Sequence, residues 1–363
     1  MQKKERLANI ELLRILAMIG VVVNHFFNYG MGIYDGYGIC PDSGTDYLLY
    51  YTLQAAKALA LPSVDCYVLI TGYFLIGSCS PSVKGLCKVW SETWFYSVAI
   101  GAAALATGNA PCTWRELAGL LFPLATNEYW FVTSYIFLLL VAPFLSMLAR
   151  GLSRRQYRLL LIVGLAVVFR YPFGLHLVSD QQFLLFIYLY LAGGYIRKYV
   201  NAATPLRPRL AAVAAFVCLM LLYCTAKNAA SGTGALAVYG LSYNGLVLPA
   251  AVAVFLLFLS LRIGRRAGRV INAVSPLSLA VYLIHCHPMV EGPLWRAVSE
   301  TVAGCPPGLL PLLCYACSAA IFLACIFIDC FRHAGARLLL GAAPCRRILS
   351  RATDAGRSIA HRL

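Results

Sequence analysis

Charge is scarce in this chain, and acidic charge scarcest of all. Only 12% of the 363 residues are charged, and just 14 of them are Asp or Glu. That is about half the charged share of a soluble domain. So little charge excludes the two or three soluble domains that the length alone would suggest. Other absences narrow the field further. The longest connection between apolar runs, 29–53, has 25 residues, which leaves no room for a soluble catalytic domain, so chemistry must lie in the membrane-embedded part. No Gly-x-Ser-x-Gly elbow occurs, which argues against a serine acyl-enzyme. No internal repeat and no paired, interrupted apolar segments are found, as an inverted-repeat transporter would require.

What is present in abundance is apolar sequence. Sixty-one per cent of residues are hydrophobic, gathered in runs of roughly 17–25 residues, each long enough to cross a bilayer as a helix. Backbone groups in lipid must be satisfied within their own segment, so these runs are expected to be helices. A barrel would need short stretches of alternating polarity. The fold class is therefore all-α: a polytopic transmembrane bundle of about ten spans, near 8–28, 54–77, 86–107, 129–149, 157–173, 181–199, 209–227, 244–262, 275–291 and 309–329.

Charge in the connections supports that count. Every second connection is strongly basic. One side holds 24 of the 30 Lys and Arg residues and the other holds four, with Arg14 and Lys57 inside spans. Such alternation places both termini in the cytoplasm. Residues 1–330 are read as a membrane-embedded domain and 331–363 as a basic cytoplasmic tail, suited to anionic lipid. The N-terminal stretch has the outline of a signal peptide but no small-residue cleavage site, so it is read as a retained first helix. The net charge of +16 belongs to these basic connections and to no basic domain, so nucleic acid is not an expected partner. Of 14 cysteines, most lie in apolar runs as small hydrophobes. Cys314 and Cys317 form a C-x-x-C without a second ligand pair, so packing is expected there and no metal site. Cys40, Cys112 and Cys305 fall in predicted outer loops, where a disulfide is permitted.

Ionisable residues inside spans cost about 2.5–3.5 kcal/mol each on insertion scales, so each one needs a reason. The first span holds Glu11, Arg14 and His25. Arg14 and His25 are 11 residues apart, about three turns, so they share one face roughly 16 Å apart along the axis. Two readings stay open: a functional polar face, or an Arg14 that snorkels or pairs with Glu11 and a His25 at the outer interface. Asp65 lies well inside the second span, with Lys57 two turns earlier as an available partner. Glu128 and Trp130 open the fourth span at the outer rim. Tyr282, His285 and His287 lie on the ninth. His285 and His287 are too close to share one helical face, so at least one of them is expected to be a packed polar residue.

Four stretches carry a resemblance. They are IELLRILAMIGVVVNH at 10–25, VDCYVLITGYFL at 64–75, EYWFVTSYIFLLLVAPFL at 128–145 and SLAVYLIHCHP at 278–288. Together they resemble the acyltransferase family 3 of integral membrane proteins. The most specific element is the Arg, ten residues and a His of the opening helix. By that resemblance Arg14 handles the acyl donor and His25 is catalytic. Arg155 and Arg158 resemble an Arg-x-x-Arg feature of some members' cytoplasmic loops and are donor-binding candidates. Glu128 and His285 are candidates to assist His25. Asp65, Trp130 and Tyr282 are candidates for binding the acceptor. At 66–67 and 71–72 the chain has Cys-Tyr and Thr-Gly where many members have Phe-Phe and Ser-Gly.

The resemblance implies an O-acyltransferase in a cell membrane, expected to be a bacterial plasma membrane. It would use acetyl-coenzyme A or another acyl-coenzyme A, and would acylate a carbohydrate such as a polysaccharide or lipid-linked glycan. The residues suit this. Basic groups at the inner mouth match a polyanionic nucleotide, the 16 Å face is comparable to an extended pantetheine arm, and a neutral imidazole suits deprotonation of a hydroxyl. Direct transfer with His25 as general base is the preferred mechanism, with transient acylation of His25 as its competitor. A multi-span transporter of a small polar substrate is the alternative function. Outer-loop tyrosines, including Tyr34, Tyr37, Tyr47, Tyr50 and Tyr51, suit either sugar stacking or an interfacial belt.

Overall fold

A computed structural model describes residues 7–31, 44–80, 83–108, 113–168, 181–201, 205–231 and 247–341. Among these the regular structure is entirely helical. Six segments are long and apolar enough to cross a membrane: Ala8–Gly30, Tyr47–Leu75, Trp130–Gly151, Leu206–Tyr223, Arg265–His285 and Pro307–Gly335. Helices also stand at the four other expected positions. They are Val83–Ala106, Arg154–Val168, Gln181–Tyr199 and the short apolar Val247–Ser260.

Helix α1 spans Ala8–His25. It is rich in Leu, Ile, Val and Met and contains no proline, so no missing N–H interrupts the backbone ladder. Directly after His25 the chain widens into a π-helical turn, Phe26–Gly30, a rare feature that is frequent at functional sites.

The second expected span needs correction. It begins ten residues earlier than expected, as α2, Gly44–Ala60, and breaks before α3, Ser63–Leu75. Pro62 lies at the break. It has no N–H to donate and disfavours helix at the residue before it. Helix α4 is Val83–Ala106. A further helix, α5, Trp114–Leu121, occupies what was read as a connection; Thr113 and Glu116 form a capping box at its start. Next come α6 (Trp130–Gly151), α7 (Arg154–Val168), α8 (Gln181–Tyr199), α9 (Leu206–Ser231), α10 (Val247–Ser260) and the strongly amphipathic α11 (Arg265–Val274).

The ninth expected span also divides. α11 leads through a 3-10 turn into α12, Ser278–His285, and the helix ends there rather than at 291. Pro288 opens α13, Pro288–Ala303, in a segment expected to be a loop. Proline is favoured at a helix's first position because its missing N–H is not needed there. The last helix, α14, runs Leu310–Gly341, so the boundary expected at 330/331 falls inside a helix. The rest of the tail lies outside the described residues.

Close approach of backbones sets the bundle. A Cβ on Gly72 would lie 2.0 Å from the Tyr190 carbonyl oxygen, and one on Gly193 would lie 2.3 Å from that of Leu69. Helices α3 and α8 therefore meet backbone to backbone. In lipid this is how helices gain van der Waals contact without a hydrophobic driving force. At Gly20 the space that a Cβ would take is filled by a side chain instead: the Ser63 hydroxyl of α3 lies 2.1 Å from that position on α1. Two buried clusters result. One joins α1 and the π turn to α12, α13 and α14 through Val22, Phe26, Leu283 and Trp295. The other joins α1, α3, α6, α8 and α10 through Ile10, Leu69, Tyr190 and Phe255.

Candidate active site

The two histidines singled out at opposite ends of the sequence meet. His25, at the last turn of α1, places Nδ1 2.9 Å from Nε2 of His285 on α12. The other nitrogen of His285, Nδ1, is 2.5 Å from the Val281 carbonyl oxygen, one turn back on the same helix. A carbonyl can only accept, so Nδ1 of His285 carries hydrogen. With both rings neutral, Nε2 of His285 then holds a lone pair, and Nδ1 of His25 donates to it. The proton of His25 is thereby held on Nδ1, and its Nε2 is left as a base. His285 is fully buried, which makes the orientation of this pair costly to disturb.

Aromatic rings frame the pair. Tyr29 meets His25 edge-on, with centroids 5.5 Å apart. Trp295 of α13 stands 6.4 Å from each imidazole. Tyr282, one turn before His285, lies 6.3 Å from that ring and packs on Phe131 and Tyr129. The fully buried Tyr129 donates to the Leu283 carbonyl at 3.1 Å, which fixes α6 against α12. Lys57 approaches from α2: its Nζ lies 2.5 Å from Asn28 Oδ1 and 5.5 Å from the Phe27 ring. Among the described contacts, then, Lys57 is turned to the π turn. The pairing with Asp65 that its spacing allowed is not among the described ion pairs.

Cys286 is the member that sequence reasoning missed. Helix α12 ends at His285, and the turn brings its sulfur 3.4 Å from His25 Nδ1 and 3.3 Å from His285 Nε2. The three residues could hold a metal ion, in a chain expected to have no such site. The signal available was Pro288, which stops α12 and turns residue 286 back toward its neighbour. The packed polar residue expected of the His285/His287 pair is His287. It accepts from Met289 N–H at 3.1 Å as the cap of α13, and its Nε2 lies 3.2 Å from the Ser97 carbonyl.

The other candidates are dispersed. Arg14 Nη1 lies 2.9 Å from Glu11 Oε2, and the Ser275 hydroxyl donates to the same oxygen. Pairing with Glu11, one of the two readings left open, is thus the contact observed. Tyr67 donates to the Arg14 carbonyl at 2.9 Å, and its oxygen lies 3.2 Å from the Ser278 hydroxyl oxygen, tying α3 to α1 and α12. Asp65 is buried in the first turn of α3, where the helix dipole favours a carboxylate. Glu128 is exposed and lies over Gly119 of α5. Trp130 packs on Phe131 and Phe186. None of these three has a described contact with the histidine pair. Arg155 and Arg158 are exposed on the first turns of α7.

At the Arg14 end of α1 two basic cavities open instead. One of about 680 Å³ is lined by Glu11, Tyr73, Arg150, Arg197 and Lys198, among others. A second, of about 740 Å³, is lined by Asn9, Arg265, Arg269 and Asn272, among others. Neither includes Arg14, Arg155 or Arg158. A buried ionic cluster also escaped the sequence reading. Arg332 on α14 bridges Asp329 at 2.5 Å and Glu92 of α4 at 3.2 Å, and Tyr96 donates to Asp329 at 2.6 Å. Arg332 had been counted with the tail. Of the three cysteines among which a disulfide was permitted, Cys305 is a free thiol, while Cys40 and Cys112 lie outside the described residues, as do Tyr34 and Tyr37.

No curated protein and no solved structure matches the chain. A family model described as an acyltransferase domain matches residues 7–329, a stretch that takes in α1 to α13, both histidines, Cys286 and most of α14. That coverage bears out the resemblance carried by the four short stretches, and this multi-pass membrane protein belongs to acyltransferase family 3.

Proposed function

We propose that this protein is an O-acyltransferase that moves an acetyl group from cytoplasmic acetyl-coenzyme A to a hydroxyl of an extracytoplasmic carbohydrate, in a bacterial plasma membrane. The observation that carries this reading is the hydrogen-bonded chain from the Val281 carbonyl through His285 to His25. A sugar hydroxyl is a poor nucleophile near neutral pH. A positioned imidazole with its proton on the far nitrogen is suited to take the hydroxyl proton as oxygen attacks the thioester carbonyl. The acyl group passes to the sugar oxygen, coenzyme A leaves as thiolate, and the proton held on His25 can go to that thiolate. His285 serves as the positioning residue. Tyr29, exposed beside His25, offers a face on which a sugar ring can stack.

The donor reading rests on charge and length. The basic cavities draw Arg150, Arg197, Lys198, Arg265 and Arg269 from connections assigned to the cytoplasm by charge. The coenzyme's phosphates suit such a site. Glu11 lines the larger cluster of these cations, with Arg14 about one turn further along α1. From there the straight helix carries a face about 16 Å long to His25, comparable to an extended pantetheine arm. Ten spans with both termini cytoplasmic complete the proposal. The decisive experiment is turnover of purified His25→Ala with acetyl-coenzyme A and a carbohydrate acceptor. A loss of about 10²–10⁴-fold is expected for a missing general base. Near wild-type turnover would sink this mechanism.

A further inference from the structure

The proposed reaction employs His25 and His285 and gives Cys286 no task, yet the three donor atoms close a triangle. Its edges are 2.9 Å between His25 Nδ1 and His285 Nε2, 3.4 Å from Cys286 Sγ to the first and 3.3 Å to the second. Zinc takes nitrogen at about 2.0–2.1 Å and sulfur at about 2.3 Å, and tetrahedral angles then set two nitrogens about 3.3 Å apart and a nitrogen and a sulfur about 3.5 Å apart. Every edge of the triangle is within about 0.5 Å of these spacings and on the short side. A slight parting of α1 from the Cys286 turn would seat the ion.

The surroundings are arranged for it as well. A ligating imidazole usually donates its other N–H to a carbonyl or carboxylate, which fixes the tautomer. His285 does this through the Val281 carbonyl, so its Nε2 is left without hydrogen on the side where His25 and Cys286 stand. Two imidazoles and a thiolate select a zinc-like ion over the oxygen-seeking Mg²⁺ and Ca²⁺. Among the described residues the group has three members, one fewer than the four protein ligands of a structural zinc site. Lys57 is held by Asn28 one turn from His25, and whenever it is protonated its charge weakens a nearby cation's hold, which favours reversible occupancy.

We propose that His25, His285 and Cys286 form a reversible Zn²⁺ site whose occupancy switches the enzyme off. The site itself stands on the geometry; the switch rests on the function proposed above. On binding, the Cys286 thiol releases its proton to solvent and its sulfur bonds the metal. Nδ1 of His25 must give up its hydrogen to coordinate, so the ring's one hydrogen resides on Nε2. The lone pair that a base needs is then gone. No electron transfer is involved.

The test uses the full chain, purified in detergent with any affinity tag removed, and Co²⁺ and Zn²⁺ as probes. Cobalt should bind at one ion per chain with a sulfur-to-cobalt charge-transfer band and the visible bands of tetrahedral cobalt, and zinc should bleach both. Cys286→Ser and Cys286→Ala should each lose the charge-transfer band, weaken zinc binding at least about 10–100-fold, retain acyl transfer, and resist zinc inhibition. Binding without a sulfur band, or a band that survives in both cysteine variants, would overturn the site. Sulfur-ligated zinc that leaves wild-type turnover unchanged, or raises it, would overturn the switch. The cobalt spectrum needs no substrate, so a protein that transferred no acyl group would still decide the site.

Discussion

Nδ1 of His25 and Nε2 of His285 lie 2.9 Å apart, and the Val281 carbonyl beneath His285 decides which of them carries the hydrogen. Direction is what this contact supplies. Either histidine alone could accept a proton, but only the chain of three groups leaves a defined lone pair on His25 Nε2. The arrangement links a helix end in the first residues of the chain to a helix end some 260 residues later.

That relationship predicts an asymmetry between the two histidines. His285→Gln, which keeps an acceptor oxygen for His25 Nδ1–H, should lower kcat by a smaller factor than the His25→Ala loss of about 10²–10⁴-fold, with KM for the acceptor nearly unchanged. Steady-state kinetics on purified variants would check this. A dead His285→Gln beside an active His25→Ala would assign the base to α12.

Arg14 should act on stability as well as on the donor. Arg14→Ala leaves the Glu11 carboxylate, 5% exposed, with the Ser275 hydroxyl and no guanidinium. A loss of about 1–3 kcal/mol is expected for a buried polar group stripped of a partner. Adding Glu11→Gln should restore much of the thermal stability. Donor affinity measured in that stable double variant then isolates any role for Arg14 in binding coenzyme A. Affinity equal to wild type would assign Arg14 to structure alone.

The basic cavity should govern donor affinity. Arg197→Ala and Lys198→Ala should each weaken acetyl-coenzyme A binding by about 1.5–3 kcal/mol, the worth of a charge-assisted hydrogen bond, and should flatten its dependence on salt. Calorimetry at two ionic strengths would show it. Arg155→Ala, on an exposed turn of α7, should leave affinity within error. The reverse order would move the donor site to α7.

Helix contact offers a clean pair. Gly72→Leu must push α3 away from the Tyr190 backbone, 2.0 Å from where its Cβ would stand, whereas a Cβ on Gly77 meets nothing within 4 Å. Gly72→Leu should fail to give monodisperse protein in detergent, and Gly77→Ala should behave as wild type. Size-exclusion profiles would separate them, and a well-behaved Gly72→Leu would contradict the close approach.

The proposed topology predicts where a reagent can reach. Cysteines introduced at positions 155 and 266 should be silent to a membrane-impermeant maleimide in intact cells and react after permeabilisation. Labelling from outside at either position would invert or break the ten-span arrangement.

Composition and charge alternation alone determined that the chain is helical and threads a membrane repeatedly, because a bilayer allows an isolated apolar run few other structures. The 11-residue spacing of Arg14 and His25 likewise determined that they share a face, since the helical repeat is local. What the linear pattern could not determine was partnership. Apolar composition does not mark where a span breaks when a single proline does the work, as at Pro62 and Pro288, and so α13 and the turn at Cys286 went unseen. The pairing of Arg332 with Glu92 and Asp329, of His25 with His285, and of Lys57 with Asn28 rather than Asp65 depends on which helices touch. Small residues such as Gly72 and Gly193 take part in that choice, because their lack of a side chain lets distant backbones meet. Periodicity records a residue's direction about its own helix, and only tertiary packing decides what stands opposite.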